Sequence, residues 1–80
     1  MPYKINNLLK LNQEHQRQLD KFGLQDHRPE MWAAILMEEV GEVCREICDG
    51  VTGNYEAELI QVAAVALSAL ENYQVQRETI

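Results

Sequence analysis

Much is scarce in this chain of 80 residues, and each scarcity excludes something. It has two cysteines, Cys44 and Cys48, four apart on what reads as one helix, where a mutual disulfide is geometrically implausible. No histidine follows them at zinc-finger spacing, so they are read as reduced structural thiols. No apolar run is long enough to span a bilayer. The longest, Leu59 to Leu70, is broken by Gln61 and Ser68 and falls short of the ~20 residues a span requires. The opening stretch, MPYKINNLLKLN, is too polar for the core of a signal peptide, and a cytoplasmic location is expected. Strand-like alternation, internal repeats and low-complexity segments are missing, which excludes an all-β or solenoid design. Basic residues are few as well. The formal charge of −6 argues against a protein that grips nucleic-acid polymers, because neutralising phosphates takes a basic surface. The imbalance is local: residues 1–28 hold five basic and three acidic groups, residues 29–80 two basic and ten acidic.

What is present is helical periodicity in a chain of single-domain size. An all-α fold is expected, with an N-terminal helix over 4–22, a loop over 23–29, a second helix over about 30–48, a turn VTGN, and a third helix over about 55–73. Gly23 and Asp49-Gly50 are the expected helix stops. Pro29 suits the first turn of the second helix, and Asp26 and Asn54 are candidate caps. Gly53 is expected to bend the turn. Ile5, Leu8, Leu9, Leu19 and Phe22 stripe the first helix, interrupted by Asn12, His15 and Gln16. Those polar residues are either imperfections of an inner face or a lining for the same wet cavity as the acids described next. The third helix is apolar nearly all round, through Leu59, Ile60, Val62, Val65, Leu67 and Leu70, and needs more cover than two helices supply. A second subunit is therefore expected. The tail QVQRETI is expected either to fray or to begin more helix.

The chemistry lies in carboxylates placed where apolar residues belong. At about 100° per residue, Trp32, Leu36 and Val43 fall within roughly 60° of Glu39 on one side, and Ile35 within about 40° on the other. Glu42 is offset by about 60° and Glu38 by about 100°. On the third helix Tyr55, Val62, Val65 and Ala69 surround Glu58, with Gln61 about 60° away. Burying ionised carboxylates unpaired costs several kcal/mol or a large pKa shift, so something must neutralise them. Mg²⁺ does so with oxygen ligands, and Mn²⁺ is a possible substitute. An antiparallel hairpin of helices two and three sets Glu39, Glu42 and Glu58 at similar height, with the Gln61 amide as a fourth, neutral oxygen. A metal held there orients a polyphosphate and acidifies a water. Glu38, left free, is the candidate base. The alternative stays open at this level: Glu39 and Glu58 reach solvent, or pair with Arg17, Arg28 or Arg45.

EEVGE, residues 38–42, followed by EAELIQVAAVA, with the lead-in KFGLQDHRPEMWAAILMEE, resembles the MazG-type all-α nucleoside triphosphate pyrophosphohydrolases over roughly residues 15–71. That family carries E-E-x-x-E on one helix and E-x-x-D on the next. The resemblance implies Mg²⁺-dependent hydrolysis of a nucleoside triphosphate to monophosphate and pyrophosphate, by a four-helix bundle completed in a homodimer or homotetramer. It places Glu39, Glu42 and Glu58 at metal-ligand positions and matches Glu38 to the motif's leading acid. Gln61 departs from the pattern, standing where the family has Asp; an amide cannot act as a base and carries no charge. Phosphate contacts are expected from Lys4, Lys10, Arg17 and Lys21 of the first helix or from a neighbouring subunit, with Arg28 and His27 from the loop. Two other readings compete with the hydrolase: a catalytically weak nucleotide- or metal-binding relative, and a helical interaction module that docks through its apolar third helix.

Overall fold

The computed structural model describes residues 2–50 and 53–78, with side chains from residue 5 onward. The fold is all-α. Three helices follow one another: α1 (Pro2–Phe22), α2 (Pro29–Cys48) and α3 (Tyr55–Glu78). Val51 and Thr52 of the expected VTGN turn, and Thr79 and Ile80 of the tail, lie outside the described residues, as does the side chain of Lys4.

The helix stops follow from the local residues. Gly23 adopts φ +73° and its N–H donates to the Leu19 carbonyl at 2.8 Å, ending α1. Gly50 does the same for α2 at φ +75°, its N–H reaching the Ile47 carbonyl at 3.1 Å. Among the described glycines these two alone have positive φ, so Gly50 rather than Gly53 makes the left-handed bend before α3. Pro29 occupies the first turn of α2, where its missing N–H removes no hydrogen bond. The cap of α2 is Arg28, not Asp26, and it offers no side-chain hydrogen bond; the Arg28 carbonyl accepts from Met31 and Trp32 at 3.0 and 3.2 Å.

Asp26 is engaged elsewhere, and that engagement accompanies the helical outcome of the two expected for the tail. Its Oδ1 accepts from Asn72 Nδ2 and Gln76 Nε2, both at 3.1 Å. Asn72 Oδ1 accepts from Trp32 Nε1 at 2.8 Å and from the His27 backbone N–H at 3.0 Å. Gln76 also donates to the His27 carbonyl at 2.9 Å. Past residue 73, Gln76 is thus a partner of the 23–28 loop, and α3 continues to Glu78.

These bonds join the start of α2 to the end of α3, so the two helices run antiparallel as a hairpin. α1 touches α3 and makes no backbone approach to α2. The buried apolar residues among those described are Trp32, Val43, Ala64 and Val65. Trp32 and Val43 lie between α2 and α3, while Ala64, fully buried, sits about 100° round α3 from Val65, on the side that α1 covers. Its small side chain lets α1 come close. The α1 stripe does not form the inner face: Ile5, Leu8, Leu9 and Phe22 are all more than half exposed. Leu11, Glu14, His15, Gln18 and Leu19 are the half-buried residues of that helix. Among the described residues the backbone of α1 comes close to α3 alone, and the flank it turns that way is mixed in polarity.

Replacing Asn72 by Ala removes the acceptor of the buried Trp32 N–H and of the His27 N–H. We expect a loss of about 1–3 kcal/mol in stability, the usual cost of stranding buried donors, read as a lower urea midpoint at unchanged slope.

Candidate metal centre

Glu39 and Glu42 stand one turn apart on α2, and Glu58 faces them from the first turn of α3. Each offers a carboxylate oxygen, and the three oxygens lie within 4.8 Å of one another, all on half-buried residues. The hairpin geometry brings this about: α3 starts soon after α2 ends, so its first turn returns alongside the last turns of α2.

No positive charge enters the cluster among the described residues. Arg17, the cation whose charge reaches Glu39, is clasped by its own helix, with Nε and a terminal nitrogen each 2.8 Å from the two oxygens of Glu14. Arg28 lies 3.6 Å from Glu30, and Arg45 is exposed. The consequence is electrostatic frustration. Burial first, then the charges of Glu42, Glu58, Glu38 and Glu14, push the Glu39 carboxyl above the usual glutamate range. Burial, then Glu46 and Glu42, do the same to Glu58. By contrast the Arg17 clasp, with help from Gln18, holds Glu14 below its ordinary value despite partial burial.

Two carboxylates enlarge the site beyond those the sequence reading selected. Glu46 is half-buried and its charge bears on Glu58, while Glu14 brings an acid from α1 towards Glu39. The signal for Glu46 was available: it follows Glu42 by one turn and lies about 20° round the helix from Glu39. Oε2 of Glu46 and Oε2 of Glu58 are buried without a hydrogen-bond partner. Buried carboxylate oxygens normally have partners, so these two are oxygens in want of a donor or a cation.

Glu38 is exposed and stands outside the trio, close enough to raise Glu39. Gln61 is half-buried and lines, with Glu39, a cleft of about 1010 Å³ enclosed by α1, the 23–28 loop, α2 and α3. From α1 the cleft receives His15, Arg17 and Lys21. The first helix therefore shares a cavity with the acids through His15, whereas Asn12 and Gln16 are exposed. His15 Nε2 lies 2.9 Å from Oε1 of Glu71, an ion pair whenever the imidazole is protonated. His27 and Arg28 do not line this cleft. His27 packs edge-on against Trp32 at 5.1 Å and meets Gln25 at 3.1 Å, and Arg28 is exposed beside Glu30. Lys10 is likewise turned away, paired with Glu56 at 3.1 Å. Cys44 and Cys48 are free and exposed. Among the described residues no helix is long and apolar enough to cross a membrane.

A raised carboxyl binds its proton more tightly in the folded chain than in the unfolded one. Stability therefore falls as pH rises through the raised values of Glu39 and Glu58, and is recovered on acidification towards the ordinary glutamate value of about 4.3. Below that, Glu14 and Asp26, both held low, begin to lose their own contributions. Without divalent cations, thermal unfolding between about pH 4 and about pH 8 should show its highest midpoint on the acid side of neutrality. Glu39→Gln should raise the midpoint at neutral pH and flatten the profile.

Set against models of known protein families, curated proteins and solved structures, the chain matches none.

Proposed function

We propose that this chain hydrolyses nucleoside triphosphates to the monophosphate and pyrophosphate, using Mg²⁺ or, in its place, Mn²⁺. The observation that carries the reading is the meeting of Glu39, Glu42 and Glu58 within 4.8 Å, in the order in which E-E-x-x-E and the leading acid of E-x-x-D supply them. The donor set fits a hard divalent cation. It is all oxygen, it is frustrated without a positive charge, and the orphaned oxygens of Glu58 and Glu46 border it. Glu39, Glu42 and Glu58 would hold the ion, with Gln61 contributing a neutral amide oxygen. A divalent cation so held supplies charge neutralisation for a polyphosphate and a more acidic water.

The chain's own residues do the rest. Arg17 and Lys21 put positive charge on the same cleft wall, suited to phosphate oxygens that extend past the acids. Glu38, exposed and close enough to act on Glu39, is the carboxylate outside the trio assigned to accept a proton. The cleft has room for a nucleotide-sized ligand. We place the enzyme in the cytoplasm and take its working form to be a homodimer or homotetramer in which the hairpins complete a MazG-like four-helix bundle. A second reading rests on Gln61, which lines the cleft where the family pattern has Asp: a relative that binds metal and nucleotide but turns over slowly.

A panel of canonical and modified nucleoside triphosphates, incubated with Mg²⁺ and resolved by chromatography, should yield monophosphate and pyrophosphate from at least one. Glu39→Gln should lower that rate on the order of 10²–10³-fold, since several kcal/mol of charge stabilisation depend on the metal. Nucleotide binding by calorimetry without products, together with turnover gained on Gln61→Asp, would establish the weak relative instead. Neither binding nor products across the panel would remove both readings.

A further inference from the structure

His15 interrupts the apolar stripe of α1, Glu71 stands near the polar end of α3, and neither takes part in the proposed hydrolysis. Both line the large cleft, at a distance from the acids. Glu71 follows Glu58 by thirteen residues of α3, about 20 Å of helix. Asn72, beside it, bonds Trp32, which precedes Glu39 by seven residues of α2, about 10 Å. A ligand that reaches from the three glutamates to this pair has to be long. A nucleoside triphosphate laid along the cleft, with its phosphates at the acids, brings its base to that end.

The pair is a donor beside an acceptor. The His15 side chain is 12% exposed and that of Glu71 52%, so one is held by the walls and the other is open to a ligand. His15 Nε2 lies 2.9 Å from Oε1 of Glu71, yet this buried nitrogen has no hydrogen-bond partner, since closeness without alignment does not make one. Buried polar nitrogens normally find a partner. Oε2 of Glu71 makes no hydrogen bond or ion pair among the described residues. Leu19 follows His15 by four residues and Val75 follows Glu71 by four, each on the same helix face as the polar group before it. With Phe22 they line the cleft and offer apolar surface to the flat faces of a base.

With its proton on Nε2, the imidazole gives this wall one donor, followed by the two acceptor oxygens of the carboxylate. The base edge that answers is an acceptor followed by two donors. Guanine has that edge in O6, N1–H and the N2 amine. Hypoxanthine lacks the amine. Thymine and uracil put a carbonyl in its place, which the second carboxylate oxygen repels. Adenine and cytosine present a single amino group beside a ring acceptor, so one oxygen of Glu71 goes unanswered.

We infer that the His15–Glu71 pair reads the base of the bound nucleotide and selects guanine. Glu71 accepts from N1–H and the N2 amine, and His15 Nε2 donates to O6. Selectivity follows because a base that lacks one of these groups leaves a polar atom of the wall unpaired. The inference rests on the proposed function for the placement of the phosphates and adds the base to it. Its test reads binding of monophosphates, so it stands or falls apart from turnover.

Calorimetry of the intact chain with dGMP, dIMP, dAMP and dCMP, without divalent cation, measures the choice of base. The monophosphate dGMP should bind about tenfold more tightly than dIMP, which lacks only the N2 amine, and at least about tenfold more tightly than dAMP or dCMP. Glu71→Gln, which exchanges an acceptor for a donor, should cut the preference for dGMP over dAMP at least about tenfold while the helical circular dichroism is kept. A pair that merely packs α1 on α3 would weaken all four ligands alike. If the variant fails to fold, the ratio of dGMP to dIMP in the unmodified chain decides. Equal affinities, preference for another base, no binding of any of the four, or a uniform loss in Glu71→Gln would overturn the inference. Guanine selection without triphosphate hydrolysis would keep it and count against the hydrolase, and hydrolysis without a choice of base would do the reverse.

Discussion

Mutual repulsion among glutamates is the constraint around which the hairpin is built. Glu39, Glu42 and Glu58 converge within 4.8 Å, with Glu46 and Glu14 adding charge from the flanks. The hairpin itself enforces the approach, since Trp32, Val43 and Val65 lie on the same packed faces as the acids and cannot be buried without drawing them together. A packed apolar seam is thereby made to hold its own destabilising element. That repulsion is the electrostatic ground on which a divalent cation is proposed for the site.

The far end of the hairpin is held by opposite means. There the polar groups are matched: Asn72 serves Trp32, His27 and Asp26 together, and Gln76 reaches over both the loop carbonyl and Asp26. The loop carries no regular structure, and these bonds fix it against α3. One end of the molecule is satisfied and the other frustrated, and the large cleft runs between them. Its walls pass from Asn72 and Gln76 to Glu39 and Gln61, with Arg17 and Lys21 on the α1 side.

The same three helices have too little inside to be complete. Four buried apolar residues among those described make a thin core, and Ile5, Leu8, Leu9, Met37 and Ile47 are more than half exposed. Small domains with such cores gain stability from a metal or from another subunit. The proposed ion and the proposed oligomer would answer two separate shortfalls, one electrostatic and one apolar.

Periodicity and stop residues were enough to place three helices, because Gly23, Pro29 and Gly50 act within a few residues of themselves. Spacing likewise set Glu39 beside Glu42 and made Glu58 their counterpart, since a short turn leaves an antiparallel hairpin little freedom of register. What only the tertiary structure decided were relations between residues remote in the chain. Gln76 and Asp26 meet across 50 positions, so the polar tail is helix, and Asp26 is a latch instead of a cap. Arg17 is held by Glu14 and not by the buried acids, and His15 rather than Asn12 or Gln16 turns to the cleft. The rotation of α1 about its own axis settles those last points. A helix's sequence defines its apolar stripe, but the neighbours it packs against choose which flank is buried, and among the described residues the backbone of α1 comes close to that of α3 and not to that of α2.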